Sequence, residues 1–192
     1  MVSKYRFAIE SRDFHLINRG QSTETFIYAA KMGHLPAVKY LIEELNVHPN
    51  PRAIKYAAAL NQVLVVKYLY PKTECAFISV LSHAAMNGHL ELMIYLLSQK
   101  SELDIFEEDK AFDTACQYGQ LHVVKYLLED GVSDVGIGIG MRLAVIYQKV
   151  AVAKYIHERY KLDDGTLIYC KNYCQRNQLF NDDYNQMLKF LE

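Results

Sequence analysis

Five times along this chain an alanine is followed, eleven residues later, by a tyrosine in similar surroundings. The first copy reads Ala29-Ala30-Lys31-Met32-Gly33-His34-Leu35 and runs on to Lys39-Tyr40-Leu41. Further copies begin at Ala57, Ala84, Ala115 and Ala144 and reach Tyr68, Tyr95, Tyr126 and Tyr155. The intervals between the alanines are 28, 27, 31 and 29 residues. A constant internal register joined by connectors of variable length is the mark of a stacked-repeat solenoid.

The register implies two helices per unit. After each turn, apolar residues fall at helical spacing, as in Leu35, Val38, Leu41 and Ile42, or Leu121, Val124, Leu127 and Leu128. That is the buried stripe of an amphipathic helix. Before the turn, a shorter apolar run such as Phe26-Ile27-Tyr28-Ala29-Ala30 carries the alanines, whose small side chains let a neighbouring helix come close. Gly33, Gly88 and Gly119 fall where the first helix must stop and the chain reverse, because glycine tolerates positive φ.

The alanine pair, the Gly-His-Leu turn and the Val-x-x-Leu-Leu second helix resemble the ankyrin repeat, over about residues 7–159. The Val-Lys-Tyr-Leu variant of the second helix is similar to that of ankyrin proteins encoded by giant DNA viruses of amoebae. The resemblance implies an all-α, ankyrin-like helix-pair solenoid that binds another protein without catalysis. A structural subunit of a larger assembly, such as a virion component, is the alternative reading. No copy carries the Thr-Pro-Leu-His opening of the family, and the units fall short of its usual length of about 33 residues. Shortened inter-repeat loops are therefore expected in place of projecting hairpins.

One repeat domain is expected across residues 1–192. It has an N-terminal cap at about 1–22, repeats over about 23–165 and a divergent C-terminal unit over about 166–192. Connectors are expected near Asn46–Arg52, Pro71–Ala76, Ser98–Asp109, Glu129–Gly140 and Tyr160–Gly165. Leu167 to Asn177 reads as a helix, and Asn181-Asp182-Asp183 as the cap of a last helix ending Met187-Leu188-Lys189-Phe190-Leu191.

Charge and cysteine use narrow the function. A net charge of −1 supplies no general attraction to nucleic acid or anionic membrane. No apolar run reaches the ~20 residues of a membrane span, and residues 1–6 lack a signal-peptide core. Cys75, Cys116, Cys170 and Cys174 have no regular spacing, so they read as reduced thiols of an intracellular protein, in cytoplasm, nucleus or virion.

No catalytic, cofactor or metal site assembles from the motifs. The run Val135-Gly136-Ile137-Gly138-Ile139-Gly140 lacks the spacing and the Lys-Ser/Thr of a phosphate loop and reads as a flexible connector. Cys170 and Cys174 stand one helical turn apart, yet only His157 lies near enough in sequence to join them, and zinc needs four ligands. His34 and His89 read as turn residues that bond backbone between repeats. Lys39, Lys67, Lys125 and Lys154 share one register position and read as a solvated face paired with acids one turn away. The five register tyrosines read as core-edge residues with wet hydroxyls.

One row is not demanded by the repeat. Three residues after each first alanine stand Met32, Leu60, Asn87, Tyr118 and Tyr147, preceded by Lys31, Met86 and Gln117 in the first, third and fourth copies. In ankyrin-like stacks this row lines the concave face. Apolar and aromatic residues there are expected to contact a protein partner.

Overall fold

The structure, a computed structural model, describes residues 22–73, 77–99, 105–178 and 181–191. Those residues are all-α: twelve helices, one short 3-10 turn at Tyr70–Lys72 and, among the described residues, no strand. First helices alternate with second helices along the chain. The alternation runs α1 (Ser22–Lys31) and α2 (Leu35–Glu43), α3 (Pro51–Ala59) and α4 (Val63–Leu69), and α5 (Phe77–Met86) and α6 (Leu90–Ser98). It continues with α7 (Ile105–Tyr118) and α8 (Leu121–Asp130), α9 (Asp134–Ile146) and α10 (Val150–Arg159), and α11 (Asp164–Asn177) and α12 (Asp182–Leu191). The cap expected over residues 1–22 lies, but for Ser22, outside the described residues.

The turn inside each repeat is the same device used five times. Gly33, Asn61, Gly88, Gly119 and Gln148 all take positive φ, between 57° and 77°. In each, the amide of that residue bonds the carbonyl three back, as Gly33 N to Ala30 O at 3.1 Å and Gln148 N to Val145 O at 3.2 Å. At residues 34, 62, 120 and 149 the following amide bonds the first alanine of the repeat, as His34 N to Ala29 O at 2.9 Å and Lys149 N to Ala144 O at 2.7 Å. This pair of bonds satisfies carbonyls that a helix end otherwise leaves open. The glycine expectation thus extends to Asn61 and Gln148, which accept the left-handed conformation without glycine's freedom.

The chain divides into two compact units, Met1–Ala84 and Ala85–Glu192. In the first, α1 packs beside α3 and α2 beside α4. Phe26, Ile54 and the alanines at 29, 30, 57 and 58 are fully buried there. In the second, α7, α9 and α11 lie side by side, with α8, α10 and α12 behind them. Ala115, Phe112, Met141 and Ala144 are fully buried in this unit. Ala84, the remaining alanine of the row, is fully buried as well.

The Gly-rich run is a correction. Residues expected to form a flexible connector at 129–140 are instead the end of α8, a short turn, and the first half of α9, with Gly136, Gly138 and Gly140 buried. A Cβ at Gly140 would collide with the Phe112 ring and stand 2.9 Å from Cys116 Sγ. One at Gly136 would stand 2.5 Å from Asp109 Oδ1. The glycines are there to admit α7, not to bend the chain. Their helix is started by Ser133, whose Oγ accepts from Gly136 N at 2.9 Å and donates to Asp109 Oδ2 at 2.6 Å. The connector expected over Ser98–Asp109 is shorter too, since α7 begins at Ile105. That of Tyr160–Gly165 ends at Asp163, which caps α11 by accepting from Thr166 N at 2.8 Å. Pro51 and Arg52, expected in a connector, open α3 behind an Asn50 cap.

The last helix pair differs from the others along one flank. Asn181 caps α12 through Asp183 N at 2.9 Å. On α7 and α9 the positions three before and one after the small-residue row are buried, filled by Phe112 and Cys116, then Met141 and Val145. On α11 the same positions carry half-buried Lys171 and exposed Gln175.

Candidate interaction surface

The turns of neighbouring repeats are stapled together, and this fixes where the contact row lies. In the first unit Gln62 Nε2 donates to Lys31 O at 3.3 Å, with its amide across Gly33. In the second, Gln120 Nε2 donates to Met86 O at 2.9 Å, and His122 Nε2 lies 2.7 Å from Gly88 O. The Lys149 stem covers Gly119 in the same way. Gln62, Gln120 and His122 thus bond the backbone of the preceding repeat's turn. His34 caps its own helix, its Nδ1 accepting from Ala37 N at 3.1 Å.

Stapling sets Met32 beside Leu60 in the first unit, and Asn87, Tyr118 and Tyr147 in a row in the second. Met32 is 53% exposed, Leu60 47%, Tyr118 48% and Tyr147 45%. Asn87 and Lys31 are exposed, whereas Met86 and Gln117 are half-buried. Lys31 also stands over the Tyr56 ring, 5.9 Å from its centroid. Each apolar member of the row ends a first helix, where packing with the neighbouring repeat no longer claims the side chain.

The lysine row is engaged sideways. Lys39 Nζ lies 5.5 Å from the Tyr68 centroid and Lys125 Nζ 5.1 Å from that of Tyr155, each one repeat further on. Lys154 pairs with Glu158 at 3.8 Å, the one-turn pairing expected. The register tyrosines Tyr40, Tyr68, Tyr95, Tyr126 and Tyr155 are half-buried. Tyr68 donates its hydroxyl to Glu43 Oε1 at 2.7 Å. Burial and this bond push its phenol up to about 12.

Cys170 and Cys174 are buried as free thiols, and burial pushes them up to about 12 and about 11. His157 packs on Phe190, with centroids 5.7 Å apart. Among the described residues no group of three or more His, Cys, Asp or Glu is placed to hold a metal ion. Among them, too, no helix is long and apolar enough to cross a membrane.

A second apolar exposure escaped the sequence pattern. Val135 and Ile139 on α9, and Ile168 and Tyr169 on α11, are exposed on adjacent helices of the second unit. Their i, i+4 spacing on α9 is visible in the sequence only once the glycine run is recognised as helix.

A helix–turn–helix repeats in register here, with a left-handed turn residue and stapled neighbours, and the ankyrin-repeat model matches residues 56–137 in three copies. Residues 56–137 are ankyrin repeats. No curated protein matches the chain. The ankyrin turn geometry continues outside the matched stretch, at Gly33 before it and Gln148 after it. Ankyrin repeats generally mediate protein–protein interaction and are typically non-catalytic.

Proposed function

We propose that this chain is a non-catalytic protein-binding module whose contact residues are the exposed turn rows of its two units: Met32, Leu60 and Lys31 in the first, and Asn87, Tyr118, Tyr147, Met86 and Gln117 in the second. By analogy with ankyrin stacks these rows belong to the concave face. The observation that carries the reading is the exposure of four large apolar side chains at one register position, where the repeat requires none. Aromatic anchors supply a large share of interface energy, and they do so where water can be fully displaced. Buried thiols suit an intracellular setting, which we propose with it. Affinity purification with the intact chain, repeated with Tyr118→Ala/Tyr147→Ala, tests the reading: a partner retained by the parent and lost by the variant supports it. A partner retained equally by both overturns the assignment of these residues.

A further inference from the structure

The left-handed residue between α9 and α10 is Gln148, at φ +59°. Among the described residues it alone takes positive φ without being glycine or asparagine. Glycine and, less freely, asparagine enter that region; a glutamine there is strained and stays only where its surroundings hold it. Those surroundings are on α12. Asn181 donates its Nδ2 to Gln148 Oε1, and Gln148 Nε2 donates to the Tyr184 hydroxyl at 3.1 Å. That hydroxyl donates in turn to Ile146 O at 3.4 Å. Ile146 stands two residues before the turn residue, as do Lys31 and Met86, whose carbonyls accept from Gln62 and Gln120. Tyr184 thus takes the staple's place at this turn. It grips the turn on both sides of Tyr147, at Ile146 before and at Gln148 after. Tyr184 is buried, its ring 5.9 Å from that of Tyr173 on α11, while Tyr147 between the two gripped residues is exposed.

We infer that α12 is a clamp on the contact row: through Tyr184 and Asn181 it holds the Gln148 turn in its left-handed form, and so fixes Tyr147 in the position from which it meets the partner. The inference rests on the protein-binding reading above and adds the residues that position one of its contacts. Buried Tyr184 acts through the turn, not by touching the partner. Releasing the clamp lets Gln148 return to negative φ, which redirects the backbone beside Tyr147 and takes its ring out of register with Tyr118. An anchor already held in its bound geometry loses less freedom on binding, so the last helix governs affinity without lying in the interface.

Hydrogen–deuterium exchange of the intact chain tests the clamp without any partner. Tyr184→Phe removes the hydroxyl and keeps the ring against Tyr173. It is expected to speed exchange of the Tyr147, Gln148 and Lys149 amides by about tenfold, the loss of two hydrogen bonds, and to leave the Gly119 and Gln120 amides one repeat earlier unchanged. Adding Gln148→Gly, which takes the left-handed turn freely, is expected to restore protection. A partner retained by the parent chain through Tyr118 and Tyr147 is expected to bind Tyr184→Phe about fivefold more weakly. Exchange unchanged at the Gln148 turn, or raised equally at both turns, overturns the inference. A loosened turn with unchanged partner affinity overturns it as well, while leaving the protein-binding reading standing. Affinity indifferent to Tyr118→Ala/Tyr147→Ala overturns the contact assignment instead, and exchange then judges the clamp by itself.

Discussion

Gln120 reaches back one repeat to donate its Nε2 to Met86 O at 2.9 Å, and its amide lies across Gly88. A Cβ on Gly88 would stand 2.5 Å from Gln120 Oε1. The glycine therefore answers two demands at once: a φ of +74° and room for the neighbour's side chain.

That double role sets an order of effects. Gly88→Ala places an L-residue in the left-handed region at a cost of about 1–2 kcal/mol. It also displaces a hydrogen bond worth about 1 kcal/mol. Gln120→Ala loses only the second contribution. Urea denaturation followed by circular dichroism should rank Gly88→Ala as more destabilising than Gln120→Ala by at least 1 kcal/mol, roughly the backbone strain alone. Equal effects would mean that the staple, and not the backbone, is what the glycine protects.

The α9 glycines make the opposite prediction from the one their helix propensity suggests. In an exposed helix, Gly→Ala gains about 1 kcal/mol. At Gly140 the added methyl meets the Phe112 ring and Cys116 in the core, and overpacking costs roughly 1–3 kcal/mol. Gly140→Ala should therefore lower the melting temperature, and Phe112→Leu in the same chain should recover part of the loss. A melting temperature raised by Gly140→Ala alone would show that α7 has room to move aside.

The helix pairs were legible because a turn residue, an alanine row and a buried stripe repeat in phase, so each copy corrects the noise in the others. Tyr118 and Tyr147 were legible as exposed for the same reason: their register position ends a helix. The glycine run was not. Glycine is selected both where φ must be positive and where a neighbour comes too close for a Cβ, and composition does not separate the two. Misassigning that segment hid the exposure of Val135 and Ile139. Gln62 and Gln120, which follow the turn residue as His34 and His89 do, were not recognised as staples, because only the histidines stood out at that position.

Thiol chemistry checks the core of the second unit. Burial raises Cys116, Cys170 and Cys174 above the ordinary thiol range, so at pH 8 the reactive thiolate is scarce as well as shielded. Iodoacetamide labelling read by peptide mass spectrometry should modify these three only after denaturant is added. Rapid labelling of Cys170 or Cys174 in the native chain would contradict the packing of α11.

Tyr68 gives a pH-dependent signature. Its folded-state phenol stands at about 12 against an ordinary 10.0, so the protonated form is favoured by folding. The stability linked to it is fully present below pH 10 and is lost as pH rises through 12. Replacing Glu43 by Gln removes the anionic acceptor and the repulsion behind part of that shift. Difference absorbance titration near 295 nm, with Tyr68→Phe identifying the signal, should show the Tyr68 transition move down toward 10 in Glu43→Gln. An unmoved transition would mean that burial alone holds the phenol.

The functional prediction turns on separating binding from folding. Tyr118 and Tyr147 are nearly half exposed at the ends of α7 and α9, so truncating both should leave the melting temperature close to that of the parent. If the turn row is the interface, the same double substitution should weaken partner binding by about 2 kcal/mol or more, the scale of aromatic anchors. Lys39→Ala with Lys125→Ala removes two ammonium groups that rest on the tyrosines of the neighbouring repeats. That pair should cost a little stability, about 0.5–1 kcal/mol for each exposed cation–π contact, and leave binding unchanged. Calorimetry of the partner against both double variants, alongside their melting curves, gives the decisive pattern. Lost stability with intact binding in the tyrosine pair would make the row part of the packing between repeats. Lost binding in the lysine pair, steeply dependent on salt, would move the interface to the second helices and make the partner polyanionic.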